Sequence, residues 1–339
     1  HTRVLWAFAH AQRRLGDLGY GALIERARAD QLRRFWDDRY GGLFWTVIAD
    51  GTPLLTDKLV DGQAYGVYSF AEDYLATGSI ASLEHAIALF RLLERHTCDR
   101  EAGGYFDAFG RDWHIHTSLS VDNSSPVAVK SMNAHLHLLE AYTLLLQAWD
   151  DTALRKSLEG LVHILLDRII DRQRGHLRLL FDADWRVLSN TDSYGHDLEG
   201  SWLLVEAADQ LGNAGLAAEV CAVALAMAEA VYADGRNPDG SVRNDSTGPA
   251  AIWWGQAEGL VGFFNAYQLS GDARFLDASL ACWRYVQAQL IDRMHGDWFW
   301  GRDEAGVPLS AMKAGLWKTH YHSARACLEI MRRVDEILA

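Results

Sequence analysis

A helix-turn-helix pattern that returns at a near-constant interval constrains this chain more than any single motif, because internal repetition decides architecture before individual residues are weighed. Helical stretches are predicted to end near Gly16, Gly78, Asp150, Gly212 and Gly271, in runs such as ATGS, LGNA and LSGD, and these ends lie 62, 72, 62 and 59 residues apart. After each comes a second helical stretch of about 20 residues. A glycine-containing turn and an aromatic strand-like run follow: DDRYGGLFW from Asp37, DREAGGYFD from Asp99, DRQRGHLRLLFD from Asp171, NPDGSV from Asn237 and DRMHGDWFWG from Asp292. Such runs are expected to pair as hairpins or to cover one mouth of the assembled helices.

Five units are visible, and a final helix from about Lys318 to Leu338 has no partner, giving eleven helices. Units that bury one face against their neighbours form an open solenoid or a closed ring. Twelve helices in six pairs would close a double ring, so the expected fold is all-α: an (α/α)6 barrel spanning residues 1–339 as one domain, short of its first outer helix. His1 and Thr2 already lie inside the amphipathic run TRVLWAFAHAQRRLG with no initiator Met, so an N-terminal segment carrying that helix is expected to be missing. The first helix of each pair is rich in Gly, Ala, His and Trp, as in GQAYGVYSFAEDY and WWGQAEGLVGFFNAY, and is assigned to the inner ring. Second helices such as LEHAIALFRLLERH have two distinct faces and belong outside.

Composition narrows the partners. A net charge of −13 without clustered Lys and Arg argues against nucleic acid and anionic membranes and suits a neutral ligand. Cys98, Cys221, Cys282 and Cys327 are widely spaced and follow no CxxC pattern, so they read as reduced residues of a cytoplasmic protein. No uninterrupted apolar run reaches the roughly 18 residues of a membrane span, and the N-terminus does not read as a signal peptide. A monomer or weak homo-oligomer is expected. The 13 Trp, 12 Tyr and 12 Phe are a heavy aromatic load; most serve the core, and some suit the apolar faces of sugar rings.

Polar residues stand at the starts of the inner helices, where the pattern calls for apolar ones. In SMNAHLHLLEAY, Asn133 and His137 share a helix face, while His135 points away and reads as a packing histidine. In SYGHDLEGSW, His196 and Glu199 are three apart, a spacing that lets a carboxylate orient an imidazole for acid/base work. In IWWGQAEGLVGFFNAY, Trp254 and Glu258 share a face. In KAGLWKTHYHSARACLEI, Trp317 precedes a helix whose start carries His320 and His322. The histidines lack metal-ligand spacing and there is no Walker or dinucleotide loop, so neither metal nor nucleotide cofactor is expected.

Several of these segments, KSMNAHLHLLEAY, SYGHDLEGSWLL, WWGQAEGLVGFFNAYQLSGD and KAGLWKTHYHSARACLEI, together with the opening His1-Thr2-Arg3, resemble the N-acylglucosamine 2-epimerase superfamily, most of all its cellobiose 2-epimerase branch. The likeness runs along essentially the whole chain. It implies an (α/α)6 barrel with Arg3, Asn133, His137, His196, Glu199, Trp254, Glu258, Trp317 and His322 in the active site, and Tyr65 of the inner run GQAYGVYSFAEDY is added as a sugar contact. Two departures bear on substrate: Gly255 stands where the branch usually has Pro, and Thr319-His320 replaces Cys-Pro.

The resemblance implies inversion at carbon 2 of a reducing-end sugar such as cellobiose or lactose. A base takes the carbon 2 proton of the open-chain aldehyde, an enediolate forms, and the proton returns on the opposite face, which calls for two groups. His196 and His322 take these roles, Arg3 and His137 face the enediolate oxygen, Glu199 and Glu258 tune the histidines, and Trp254 and Trp317 stack on sugar. Mannose/glucose or N-acylglucosamine 2-epimerisation is the nearest alternative. A glycoside hydrolase using Glu199 and Glu258 as its carboxylate pair is the rival from another class, and a non-catalytic sugar-binding barrel is a third.

Overall fold

The structure, a computed structural model, describes residues 1–115, 128–302, 307–309 and 311–339. Its architecture is all-α of the (α/α)6 type, and eleven α-helices fall among the described residues. They sort into two compact units, the first made of residues 1–169 and 179–189, the second of 170–178 and 190–339.

In the first unit, α1 (Thr2–Leu15), α3 (Val60–Thr77) and α5 (Met132–Ala148) are the inner type; α2 (Gly21–Asp30), α4 (Ile80–His96) and α6 (Thr152–Ile164) are the outer type. Burial follows sequence. Outer α4 buries Ser82, Ala86, Leu89, Phe90 and Leu93, a single stripe at helical spacing. Inner α3 packs on α1, α4 and α5 and is buried nearly all round, polar Asp61, Gln63 and Asp73 included. Caps set the boundaries: Ser131 Oγ accepts the Ala134 amide at 3.1 Å and starts α5, and Asp151 accepts the amides of Ala153 and Leu154 and starts α6.

The second unit repeats the scheme with inner α7 (Tyr194–Leu211), α9 (Trp253–Ser270) and α11 (Tyr321–Leu338), and outer α8 (Ala214–Asp234) and α10 (Ala273–Tyr285). Inner α7 stops at Gly212, whose φ of 69° and ψ of 19° are left-handed and open to glycine at little cost. Helix α9 packs on α7, α8, α10 and α11. Helix α8 is long and apolar enough to cross a membrane by length and composition. It nonetheless carries Glu219 and Glu229 on its surface and sets Leu216, Val220, Met227 and Val231 against the unit's interior.

The strand-like runs pair in two ways. Each outer helix leads into a tight antiparallel turn, bridged at Trp36/Leu43, Cys98/Tyr105, Ile170/Leu177, Arg236/Val242 and Ile291/Trp298. Short strands ahead of inner helices pair with the following repeat, Lys58–Leu59 with Ala108–Phe109, Lys130–Ser131 with Leu180–Phe181, and Ala251–Ile252 with Gly301–Arg302. Buried lysines tie the two together: Lys58 Nζ lies 3.1 Å from Asp37 and Lys130 Nζ 2.6 Å from Asp99, each aspartate opening a turn. Burial works against the Asp99 carboxylate, but the Lys130 ammonium and two backbone amides hold it below the usual range.

His135 is a packing histidine. Its Nδ1 donates to Ser131 O at 2.7 Å, its Nε2 accepts the Tyr105 amide at 2.9 Å, and burial lowers its pKa to about 4. A neutral imidazole satisfied on both nitrogens welds the α5 start to the 98–105 turn. Its stabilising contribution is complete above pH 6.5, falls as the unfolded chain takes up a proton between pH 6.5 and about 4, and amounts to roughly 3 kcal/mol. Urea unfolding at pH 7 and pH 5 should therefore show a steeper acid loss in the native chain than in His135→Gln; equal slopes would contradict this role.

Candidate active site

The second unit carries the denser polar cluster. Glu258, on the second turn of α9, is buried to 1 % exposure, so its charge must be matched by donors. Its Oε1 meets His322 Nδ1 at 2.7 Å and accepts from Arg325 Nη2 at 2.8 Å, while its Oε2 accepts the Trp202 indole N–H at 3.1 Å. The same Arg325 Nη2 donates to Glu199, and Nη1 donates to the Tyr321 hydroxyl at 2.7 Å. Arg325 is itself buried, with Trp202 and Tyr321 under its guanidinium plane. One cation thus bridges two buried carboxylates, one of which holds a histidine.

Because a carboxylate only accepts, the His322–Glu258 contact fixes the hydrogen of a neutral ring on Nδ1 and makes Nε2 the nitrogen that can take up a further proton. His196 sits in the first turn of α7 with its Nδ1 2.7 Å from Ser193 Oγ. The Trp254 indole contacts both imidazoles, its ring centroid 4.5 Å from His196 and 5.9 Å from His322. The backbone permits this gathering at Gly195: an added Cβ there would lie 2.5 Å from the Trp254 ring and 3.1 Å from Gly255 Cα. Only a glycine lets the starts of α7 and α9 meet with the indole laid across them. The neighbouring Asp197 pins the turn, accepting from His176 Nδ1 at 2.8 Å and the Leu177 amide at 2.7 Å.

The first unit holds a second cluster. The Arg3 guanidinium lies 4.4 Å over the Tyr65 ring, and the Tyr65 hydroxyl is 3.3 Å from His137 Nε2. His137 Nδ1 meets Glu140 at 2.7 Å, and Asn133 Nδ2 donates to Asp61 at 3.3 Å. Arg3, Tyr65, Asn133 and His137 therefore meet as a group around the buried acids Asp61 and Glu140.

The i, i+3 spacing suggested Glu199 as the partner of His196; the structure gives Glu199 to Arg325 and sets Ser193 against His196. Trp317 lies in the segment before α11 with 42 % of its surface exposed. Four residues escaped the sequence reading. Arg325 was hidden because an Arg on an amphipathic helix reads as solvent-facing, although its i, i+4 relation to Tyr321 was visible. Ser193, Asp61 and Glu140 were not singled out, because a serine before a helix, an acid in its first turn and a glutamate within one each have an ordinary local explanation.

Glu199, Glu258 and His322 present ligand atoms within 4.8 Å of one another, a spacing a metal ion could use. Arg325 already supplies the positive charge between those carboxylates, and a metal would have to displace it. The same bonds weaken a hydrolase reading, since both oxygens of Glu258 are committed as acceptors. Replacing Arg325 with Met should cost about 3–5 kcal/mol by stranding buried carboxylates, read as a drop in urea midpoint. Adding Glu199→Gln should recover part of that loss, and no recovery would show that the two groups are not energetically coupled.

A profile of the N-acylglucosamine 2-epimerase (GlcNAc 2-epimerase) family matches residues 1–326. The cellobiose 2-epimerase of Bacteroides fragilis is 36% identical to this chain across 98% of it and 86% of that protein. The cellobiose 2-epimerase of Dictyoglomus turgidum is 33% identical over the same shares. The solved structure of cellobiose 2-epimerase from Bacillus thermoamylovorans superposes with a TM-score of 0.94 at 33% identity, covering 98% of this chain and 86% of that one. The GH76 α-mannanase of Bacteroides thetaiotaomicron, with a TM-score of 0.69 at 14% identity, shares the fold alone.

Proposed function

The chain belongs to the N-acylglucosamine 2-epimerase family, and from that premise we propose that it is an isomerase inverting carbon 2 of the reducing-end glucose of β-1,4-linked disaccharides, cellobiose to glucosyl-mannose and lactose to epilactose. The observation that carries the chemistry is the pair His196 and His322 in contact with one indole, His322 backed by a buried carboxylate. Carbon 2 becomes acidic only beside the free aldehyde of the opened sugar. One imidazole takes the proton at Nε2 and becomes imidazolium, the electron pair moves into a cis-enediolate, and the other imidazolium delivers its Nε2 proton to the opposite face of carbon 2. One turnover leaves the protonation states of the two histidines exchanged; the new imidazolium gives its proton to water and the neutral ring takes one up, which resets the pair with no redox partner, and in the reverse direction the two histidines exchange roles.

Glu258 supports the imidazolium of His322, and Glu199 acts on it indirectly by sharing Arg325. Trp254 stacks on the reacting sugar and exposed Trp317 on the second ring, which is the reason to favour a disaccharide. Arg3, Tyr65, Asn133 and His137 are assigned to sugar hydroxyls and the enediolate oxygen on the family resemblance; Arg3 offers a cationic fork suited to an oxyanion. Cytoplasmic residence is part of the same proposal, in keeping with four free thiols.

Incubation with cellobiose, lactose, mannose and N-acetylmannosamine separately, followed by chromatography, should show turnover of the two disaccharides first. In D₂O the new epimer should carry deuterium at carbon 2, seen by NMR as loss of that proton signal with the glycosidic linkage intact. Release of glucose at the rate of substrate loss would establish hydrolysis in its place. His196→Ala and His322→Ala should each lower kcat on the order of a hundredfold or more, as expected for removal of an acid/base group, with unchanged folding by circular dichroism. Turnover should also survive exhaustive dialysis against EDTA, because Arg325 fills the cationic role between Glu199 and Glu258. Loss of activity that a divalent ion restores would overturn this.

A further inference from the structure

Ser193 holds the N-cap position of α7 yet does not cap. At that position a serine ordinarily turns its hydroxyl onto a backbone amide of the first turn, as Ser131 does at the start of α5. The Ser193 side chain makes no such cap bond; its Oγ lies 2.7 Å from Nδ1 of His196, three residues on. The first turn is closed through the backbone, the Asp197 amide donating to Ser193 O at 2.9 Å. Ser193 is buried at 8 % exposure, so its hydroxyl sits where few waters compete.

We propose that Ser193 is a positioning residue for His196, its hydroxyl accepting the Nδ1 hydrogen so that Nε2 is the nitrogen that exchanges a proton with the sugar. The inference rests on the epimerase reading and deepens it. Proton bookkeeping at the ring sets the requirement. When the imidazolium gives up its Nε2 proton, the neutral ring must keep its remaining hydrogen on Nδ1, and a proton taken at Nε2 restores the same imidazolium. In both states Nδ1 bears hydrogen and needs an acceptor. Glu258 meets that need for His322 with a full charge; Ser193 meets it for His196 with a neutral dipole. The turn carrying the pair is anchored from outside by Asp197 on His176 and Leu177, so the ring direction is held along with its hydrogen.

The test is nitrogen-15 NMR of the whole chain without sugar, at a pH where the ring is neutral, with the His196 signal assigned by its loss in His196→Gln. The native ring should carry its hydrogen on Nδ1. In Ser193→Ala the hydrogen should move mainly to Nε2, and kcat on cellobiose should fall about tenfold or more with KM within about twofold, as expected when a proton-transfer group is misdirected and not removed. Ser193→Thr, which keeps a hydroxyl, should restore the Nδ1 hydrogen and most of kcat. A native ring with its hydrogen on Nε2, or an Ala variant with unmoved hydrogen and unchanged kcat, overturns the proposal, as does an equal loss in both variants with the hydrogen unmoved. If the Ala variant does not fold, the native tautomer and the Thr variant decide. If the native chain turns over none of the four sugars, the epimerase reading fails while the tautomer still decides what Ser193 does to His196.

Discussion

Arg325 is the constraint around which the second unit is arranged. Two carboxylates from two helices, Glu199 of α7 and Glu258 of α9, are buried to 1 % exposure, and neither position is tolerable for an unpaired charge. A single guanidinium from α11 reaches both with one nitrogen. Three inner helices are thereby drawn to a common point, and their order around it follows from the fork of the guanidinium: Nη2 to the acids, Nη1 to Tyr321 on its own helix. Replacing this triad by apolar residues of equal volume could be as stable. What an apolar core would not provide is the oriented His322, whose Nδ1 shares the Glu258 oxygen that Arg325 also binds.

The same economy appears away from the site. Turns that end the outer helices are closed on an aspartate or asparagine, and in three of them a lysine amine reaches the carboxylate: Lys58 on Asp37, Lys130 on Asp99 and Lys313 on Asp292. Lys58 and Lys130 stand two residues ahead of α3 and α5. Each therefore couples the exit of one repeat to the entry of the next inner helix, where buried polar residues such as Asp61 and His137 lie. Close packing does the rest: Gly195 removes the side chain that would hold α7 away from Trp254. Rigid helix starts position side chains more exactingly than free loops do, which holds the buried polar groups carried there in fixed directions.

The repeat was legible because it is written in periodicity and in glycine stops, signals that act locally; the helix ends near Gly78, Gly212 and Gly271 fall where the sequence puts them. Polar residues at inner-helix starts were legible for a related reason, as violations of an otherwise apolar pattern. The pairings were not. Whether Glu199 serves His196 or an arginine 126 positions away depends on how three helices cross, and the i, i+3 spacing that suggested the first alternative carries no information about the second. Arg325 shows the limit most plainly: its amphipathic surroundings give it the same local pattern as a solvated arginine, and only tertiary contact reveals it as buried. Ser193 is the converse: its place ahead of α7 is the ordinary one for a capping serine, and only the structure shows its hydroxyl turned to His196 instead.

The two histidines are therefore chemically unlike, and the difference follows from charge. Glu199, Glu258, Arg325 and a neutral His322 together carry one net negative charge in a buried site, and a proton on His322 cancels it. An imidazolium formed there by proton abstraction is stabilised by the cluster that surrounds it, because the low-polarity interior amplifies that Coulombic gain. His196 meets the neutral Ser193 hydroxyl at its Nδ1 where His322 meets a carboxylate, so the two rings are held by groups of unlike charge. In the proposed reaction the proton enters on one ring while another leaves from its counterpart, so no net charge accumulates across the enediolate and its two imidazoles. The reverse reaction must cross the same barrier from the other side, with His196 as acceptor. An asymmetric pair can run both directions because the enediolate lies between them: what the carboxylate-backed ring gains in basicity it loses as an acid, and the overall equilibrium between the epimers belongs to the sugars alone.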